Sequence, residues 1–194
     1  MAKRPYVAGV LMGERHQIAD LIQIFNDLFL QSLNTELVAG DSEPVYLPAG
    51  QNRPHNQIIF AHGFFASALH EIAHWCVAGP ERRQLEDFGY WYKPDGRTVS
   101  EQIEFERVEQ RPQAYEWILS VSAGKRFYFS ADNLSAGLGA SESFKQGVQA
   151  RVIQTLVSGM NPRLQALSDA LRTFYGQPPL SADQFQLEPL ACAS

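Results

Sequence analysis

The feature that most constrains this chain is the stretch LHEIAHWCVAGP, in which two histidines stand four residues apart. Ser67 precedes it as an expected N-cap, and Gly79 with Pro80 ends it, so we predict a helix of about three turns. Residues four apart lie on the same face of an α-helix. His70 and His74 can therefore share one metal ion, and the stretch predicts a metal site on a helix.

Several other segments have the apolar spacing of helices. The pattern over 16–33 repeats with a helical period, so we predict a helix there. Pro112 suits the first turn of a helix, and the segment that follows it ends at Gly124, which predicts a helix between the two. Two further helices are predicted, each closed by a glycine, in the segments SESFKQGVQARVIQTLVSG and NPRLQALSDALRTFYG.

Strand signals are fewer, and they predict only a small sheet. QIIFAHG indicates a short buried strand, Val45–Leu47 an edge strand, and KRFYFSADN a further strand. The Pro-rich tail 177–194 is expected to be irregular. We therefore predict the α+β class, with one domain over 1–194, a small sheet packed with several helices, and the metal site on a central helix.

Composition narrows the functional classes. The chain has 194 residues and a net charge of -5, which disfavours a nucleic-acid partner because phosphate binding needs a basic excess. Its two cysteines have no CxxC spacing, which favours a reducing cytoplasm over a disulfide framework. We see no signal peptide, and no stretch approaches the ~20 apolar residues of a membrane span.

A metal site on this helix needs a third protein ligand. His62 is close in sequence, but the richer supply is the carboxylates of SEQIEFERVE, namely Glu101, Glu104, Glu106 and Glu109. Two histidines and one carboxylate form the facial triad of non-haem Fe(II) oxygenases. The same ligands with zinc and a water suit hydrolysis, in which Glu71 would be the catalytic general base. The residues alone leave oxidation and hydrolysis open.

Three blocks of the sequence, HEIAHWCVAGPERR, EDFGYWYKPDGR and EQIEFERVEQRPQAYEW, resemble the bacterial elongation factor P hydroxylase family. The likeness is clearest from His55 to Trp117 and extends over the whole length. The family hydroxylates a lysine of elongation factor P after a β-lysyl group has been attached to it. The resemblance implies the same reaction here. It also implies an α+β fold similar to that of metal-dependent ribonucleases, which leaves an RNA-binding protein as a further alternative.

The resemblance also implies a set of site residues. It implies a metal held by His70, His74 and Glu106, with Fe(II) and molecular oxygen as cofactors and elongation factor P as the partner. The choice of Glu106 comes from the resemblance and not from spacing. The cationic substrate chain favours a groove with acidic and aromatic residues. The EDFGYWY block supplies them, so the predicted substrate-binding residues are Glu86, Asp87, Tyr90, Trp91 and Tyr92.

Overall fold

The computed structural model describes residues 16–41, 43–88, 96–130 and 139–187, and helices dominate these ranges. A small sheet packs with them in one domain, which confirms the predicted α+β class. No helix in the described ranges is long and apolar enough to cross a membrane. The helices are α1 (Ile18–Leu33), α2 (Phe65–Val77), α3 (Val99–Ser122), α4 (Glu142–Ser158) and α5 (Pro162–Tyr175).

The sheet has three strands, β1 (Thr35–Ala39), β2 (Val45–Leu47) and β3 (Asn56–Phe60). Its order is β1-β3-β2, with β3 parallel to β1 and antiparallel to β2. The predicted edge strand is therefore present. After β3, a 3₁₀ turn carries His62 in the left-handed region at φ 58° and leads directly into α2. Because α2 follows the central strand β3 so closely, it packs against the sheet.

The helix α2 begins three residues before the predicted start. Its N-cap is Phe64, which has no side-chain cap bond, so the prediction of Ser67 as the N-cap was wrong. The backbone N–H of Ala68 already bonds the carbonyl of Phe64 at 3.0 Å. Burial of Phe65 against the core accounts for the early start, because packing can outweigh a missing polar cap.

The helix α3 is a single helix of 24 residues, so the prediction of a start at Pro112 was wrong. It begins after Thr98, which forms a capping box with Glu101. Pro112 lies inside the helix and is buried. A proline there removes one backbone hydrogen bond, which the packing of α3 against α2, α4 and α5 offsets. This helix is the central element of the molecule.

The predicted strand KRFYFSADN was also wrong over residues 125–130, which form no strand or helix, and residues 131–133 lie outside the described ranges. Side-chain contacts hold this segment instead. The amide of Gln113 donates to the carbonyl of Ser130 and accepts from its N–H at 3.2 Å. In the tail, a 3₁₀ turn spans Ala182–Gln184 and Phe185 is fully buried, so residues up to 187 are packed on the domain.

Candidate metal centre

Two histidines of α2 and one carboxylate of α3 form a compact cluster. The Nε2 atoms of His70 and His74 are 3.1 Å apart. Glu109 places Oε1 at 3.4 Å from Nε2 of His74 and Oε2 at 3.9 Å from Nε2 of His70. Ligand atoms from all three side chains lie within 4.8 Å of one another. One ion can therefore contact all three.

Helix packing explains why these side chains meet. His70 and His74 are one turn apart on α2, whereas Leu69, Ile72 and Ala73 are fully buried in the core. The histidine pair is only partly buried and lies against α3. The two ligand-bearing helices are thus held together by the core that lies beside the cluster.

Glu116 orients the imidazole of His70. The Nδ1–H of His70 donates to Oε2 of Glu116 at 2.8 Å. A neutral ring that carries its proton on Nδ1 would present the Nε2 lone pair to a bound metal ion. A carboxylate on the far nitrogen is a common partner of metal-binding histidines. Glu116 lies two turns after Glu109 on the same face of α3.

The charges of the cluster shift the pKa values of its members. Burial by itself would raise the pKa of Glu109, but the facing imidazoles of His74 and His70 lower it below the usual value. Burial would lower the pKa of His70, but the hydrogen bond and charge of Glu116 raise it, with help from Glu109. Burial raises the pKa of Glu71, although both imidazoles oppose that shift. The imidazoles and the carboxylates of Glu109 and Glu116 therefore stabilise one another's charged forms.

The residues fit a divalent metal ion. Oε2 of Glu109 is buried and has no hydrogen-bond partner among the described residues. Such an oxygen is unfavourable unless a cation compensates it. With bonds of ~2.1 Å, two ligand atoms lie about 3.0 Å apart at a right angle and about 3.4 Å apart at a tetrahedral angle. The separations of 3.1 and 3.4 Å match these values, and that of 3.9 Å is somewhat longer.

Glu106, the carboxylate that the resemblance implied, is not brought into this cluster. Its carboxylate accepts hydrogen bonds from Oγ of Ser141 at 2.6 Å and from the Ser141 N–H at 3.2 Å, at the start of α4. Gln102 donates to it at 3.4 Å. Glu109 lies one turn further along α3 and contacts the histidines. The geometry therefore favours Glu109, an alternative that the spacing had left open, over Glu106.

A small cleft of about 30 Å³ opens beside His74, and Glu71 and Asp87 both line it. The carboxylate of Asp87 forms an ion pair with Arg82, with Oδ1 and Nη2 at 2.9 Å. The backbone of Asp87 pairs with that of Tyr46 at the edge of the sheet. Glu71 therefore lies beside the metal cluster but does not belong to the group of ligand side chains.

The other predicted substrate-binding residues are not brought to this cleft by the described structure. Glu86 is exposed and does not line it. Tyr90, Trp91 and Tyr92 lie outside the described ranges. Asp87 is therefore the only member of that set for which the described residues give a position near the metal cluster.

Sequence reasoning left Glu109 as one of four candidate carboxylates and missed Glu116, and both outcomes have one cause. Glu109, Gln113 and Glu116 follow one another at spacings of four and three residues, which place them on one helical face. Starting the helix at Pro112 separated Glu109 from the other two and hid this pattern. A continuous α3 would have predicted both carboxylates as partners for the histidine helix.

Comparisons with known proteins show which family the chain resembles over most of its length. A family model described as elongation factor P hydroxylase matches residues 24–185, which include both helices of the cluster. A relative named elongation factor P lysine hydroxylase, from Haemophilus influenzae, is 53% identical over 160 residues. That match covers 82% of this chain and 90% of the relative.

Proposed function

This chain belongs to the elongation factor P hydroxylase family, and we propose from that premise that it hydroxylates the β-lysylated lysine of elongation factor P. The observation that carries the proposal is the cluster of His70, His74 and Glu109, which offers one ion three protein ligands on adjacent helices. Two histidines and a carboxylate on one side of an ion leave positions open for oxygen and substrate. The proposed metal is Fe(II), and molecular oxygen is the proposed co-substrate.

Each side chain of the cluster has a proposed role. His70 and His74 bind the ion through Nε2, and Glu109 binds it through a carboxylate oxygen. Glu116 keeps the proton of His70 on Nδ1 and fixes the ring. When bound, Fe(II) would supply the activation of oxygen that hydroxylation of a C–H bond requires. Burial of Glu109 limits the access of water to this side of the site.

We propose that the substrate side chain approaches the metal cluster from the side of His74 on which this small cleft opens. Glu71 and Asp87 line it and give it acidic groups, which suit a cationic chain. Asp87 is already paired with Arg82, which leaves Glu71 as the other acidic group that lines the cleft. We propose the remaining residues of the EDFGYWY block, Glu86, Tyr90, Trp91 and Tyr92, as further contacts of the substrate.

The reaction is tested by mass spectrometry of β-lysylated elongation factor P. The protein is loaded with Fe(II) without air and then given oxygen, ascorbate and this substrate. The expected product is heavier by the mass of one oxygen atom, ~16 Da, on the β-lysylated lysine. The unmodified factor serves as the control. If the β-lysylated protein keeps its mass, the proposed reaction is wrong.

A substitution of Glu71 separates hydroxylation from metal-dependent hydrolysis. Glu71→Gln is expected to keep the bound metal and a substantial part of the hydroxylation, because Glu71 is not a metal ligand in this arrangement. A hydrolase that used Glu71 as its general base would lose nearly all activity. Metal content measured beside the rate distinguishes loss of chemistry from loss of the ion.

A further inference from the structure

A second, larger opening lies on another face of α3. It is a groove of about 440 Å³ whose wall is aromatic. Trp117 and Phe127 stack with centroids 5.2 Å apart, and Phe129 packs edge-on against both rings at 5.3 and 5.0 Å. Rings that are locked against one another form a rigid surface, so little conformational entropy is lost when a partner packs on it.

The rim of the groove is basic. Lys125, Arg126 and Lys145 line it, and the one carboxylate among the described lining residues is that of Glu142, 3.6 Å from Lys145. The chain as a whole has a net charge of -5, so this is a local reversal of sign. Such a rim attracts an acidic occupant and steers its approach.

Tyr128 projects from the groove as an exposed aromatic side chain. Its relative exposure is 67%, and the guanidinium of Arg126 lies 5.2 Å from its ring centroid. Tyrosine and arginine are enriched among the residues that dominate protein–protein interfaces. An exposed tyrosine beside an arginine on a rigid aromatic wall is therefore a suitable anchor for another protein.

The groove contacts α3, the helix that carries Glu109 and Glu116. Gln113, only 1% exposed, holds Ser130 by two hydrogen bonds and so fixes the segment 125–130 on α3. Gln113 lies one turn from both Glu109 and Glu116. Trp117, in the wall, directly follows Glu116 in the sequence. A protein docked in the groove therefore contacts the same helix that carries the ligand carboxylate.

We propose that this groove is the docking surface for an acidic segment of the protein substrate. The inference rests on the proposed function, which requires a whole protein to be positioned at the metal site. Single-stranded nucleic acid also binds basic surfaces that carry aromatic rings. Here, however, the chain as a whole has a net charge of -5, and Trp117 of the wall is only 6% exposed, which disfavours stacking of bases on it. A protein with a carboxylate-rich segment fits these features better.

The test uses the full chain, Fe(II)-loaded, with β-lysylated elongation factor P as substrate. Arg126→Glu and Tyr128→Ala are each expected to raise KM about tenfold and leave kcat within about twofold, because neither residue belongs to the metal cluster. The matched control is Arg151→Glu, an equally large charge change at an exposed arginine of α4 outside the groove. It is expected to leave KM unchanged.

Direct binding supplies a second measurement that does not depend on turnover. Affinity of each variant for elongation factor P and for a single-stranded RNA oligonucleotide is measured by fluorescence anisotropy at two salt concentrations. We expect the wild-type affinity for the factor to fall with salt and that of Arg126→Glu to fall less. Unchanged KM and affinity in both groove variants would overturn the proposal, as would groove-dependent binding of the RNA alone. If the wild type binds the factor through the groove but does not hydroxylate it, the docking surface stands and the proposed reaction fails.

Discussion

At the scale of single residues, Glu106 and Glu109 lie one helical turn apart but have different contacts. Glu106 binds Ser141, whereas Glu109 belongs to the metal cluster. Glu109→Ala is expected to abolish metal binding, because Glu109 is the one carboxylate in the described ranges that lies within 4.0 Å of both histidines. Glu106→Ala is expected to keep the metal and lower the free energy of unfolding by about 1.5 kcal/mol, since it breaks charged hydrogen bonds to Ser141. Metal analysis and urea unfolding of both variants check this.

The opposite metal contents in these two variants would identify Glu106 as the ligand. Loss of metal in Glu106→Ala together with full metal in Glu109→Ala would contradict the assignment that the geometry favours. Glu104→Ala is the matched control on the same helix. Its carboxylate forms a surface ion pair with Arg107, so the change is expected to affect neither metal content nor stability appreciably.

A second residue-scale prediction concerns Cys76, which is 1% exposed and lies in the core behind the histidines. Burial raises the pKa of its thiol from 9.0 to about 12. The folded chain therefore keeps the thiol proton where the unfolded chain releases it. The unfolded state then binds fewer protons, so stability is unaffected below pH 9 and falls as the pH rises from 9 towards 12.

Alkylation checks this directly. Iodoacetamide at neutral pH is expected to leave Cys76 unmodified in the native protein and to modify it in denaturant, as read by peptide mapping. The denatured sample is the control for reactivity of the same peptide. Rapid modification of native Cys76 would mean that this part of α2 opens readily.

At the scale of elements, α5 secures the end of the histidine helix. Arg163 donates to the carbonyls of Cys76 and Ala78 at 3.1 and 2.8 Å, and Asn161 donates to that of Cys76 at 3.0 Å. The guanidinium of Arg163 also lies 4.8 Å from the ring centroid of Trp75. These contacts satisfy carbonyls that the helix itself leaves unpaired.

Arg163→Ala is therefore expected to lower the free energy of unfolding by about 2 kcal/mol, because two charged hydrogen bonds and a ring contact are lost. Denaturant unfolding measures the change. The exposed Arg151 gives the control, since Arg151→Ala is expected to change stability by less than about 0.5 kcal/mol. Equal stability of the two variants would show that α2 is held by its core contacts alone.

The elements also show which parts of the fold a sequence can predict. The helix α2 and its histidine pair depend on spacing within one turn, so local reasoning was sufficient. The extent of α3 was not predictable in this way, because buried Gln102, Glu109, Gln113 and Glu116 break the expected apolar stripe. The segment 125–130 has the composition of a strand, but its last residue, Ser130, pairs its backbone N–H and C=O with the side chain of Gln113 and not with a neighbouring strand.

At the scale of the whole molecule, the cluster links α2 and α3, so metal binding should stabilise the fold. An ion that binds only the folded chain, at about a hundred times its Kd, adds about 2.7 kcal/mol. For a domain of this length that corresponds to a rise in Tm of about 5–10 °C. Thermal unfolding with and without Fe(II), in the absence of air, measures it.

The control for this prediction is His74→Ala, which removes one ligand from the surface of α2. Its Tm is expected not to respond to the metal. A rise equal to that of the wild type would place the stabilising ion elsewhere in the molecule. The same experiment with Zn²⁺ in place of Fe(II) avoids oxidation and is expected to give a rise as well, because the ligand set suits both ions.

The hydrogen bonds from Asn161 and Arg163 to the end of α2 limit how far the chain can be shortened. Every side chain of the metal cluster precedes residue 117, yet the carbonyls that finish the histidine helix are held from residues 161 and 163. A fragment that stops at the end of α4 would contain all the coordinating side chains. It would lack Asn161 and Arg163, which bind the C-terminal carbonyls of α2. The shortest fragment expected to hold the metal site must therefore extend through residue 163, beyond the last ligand residue.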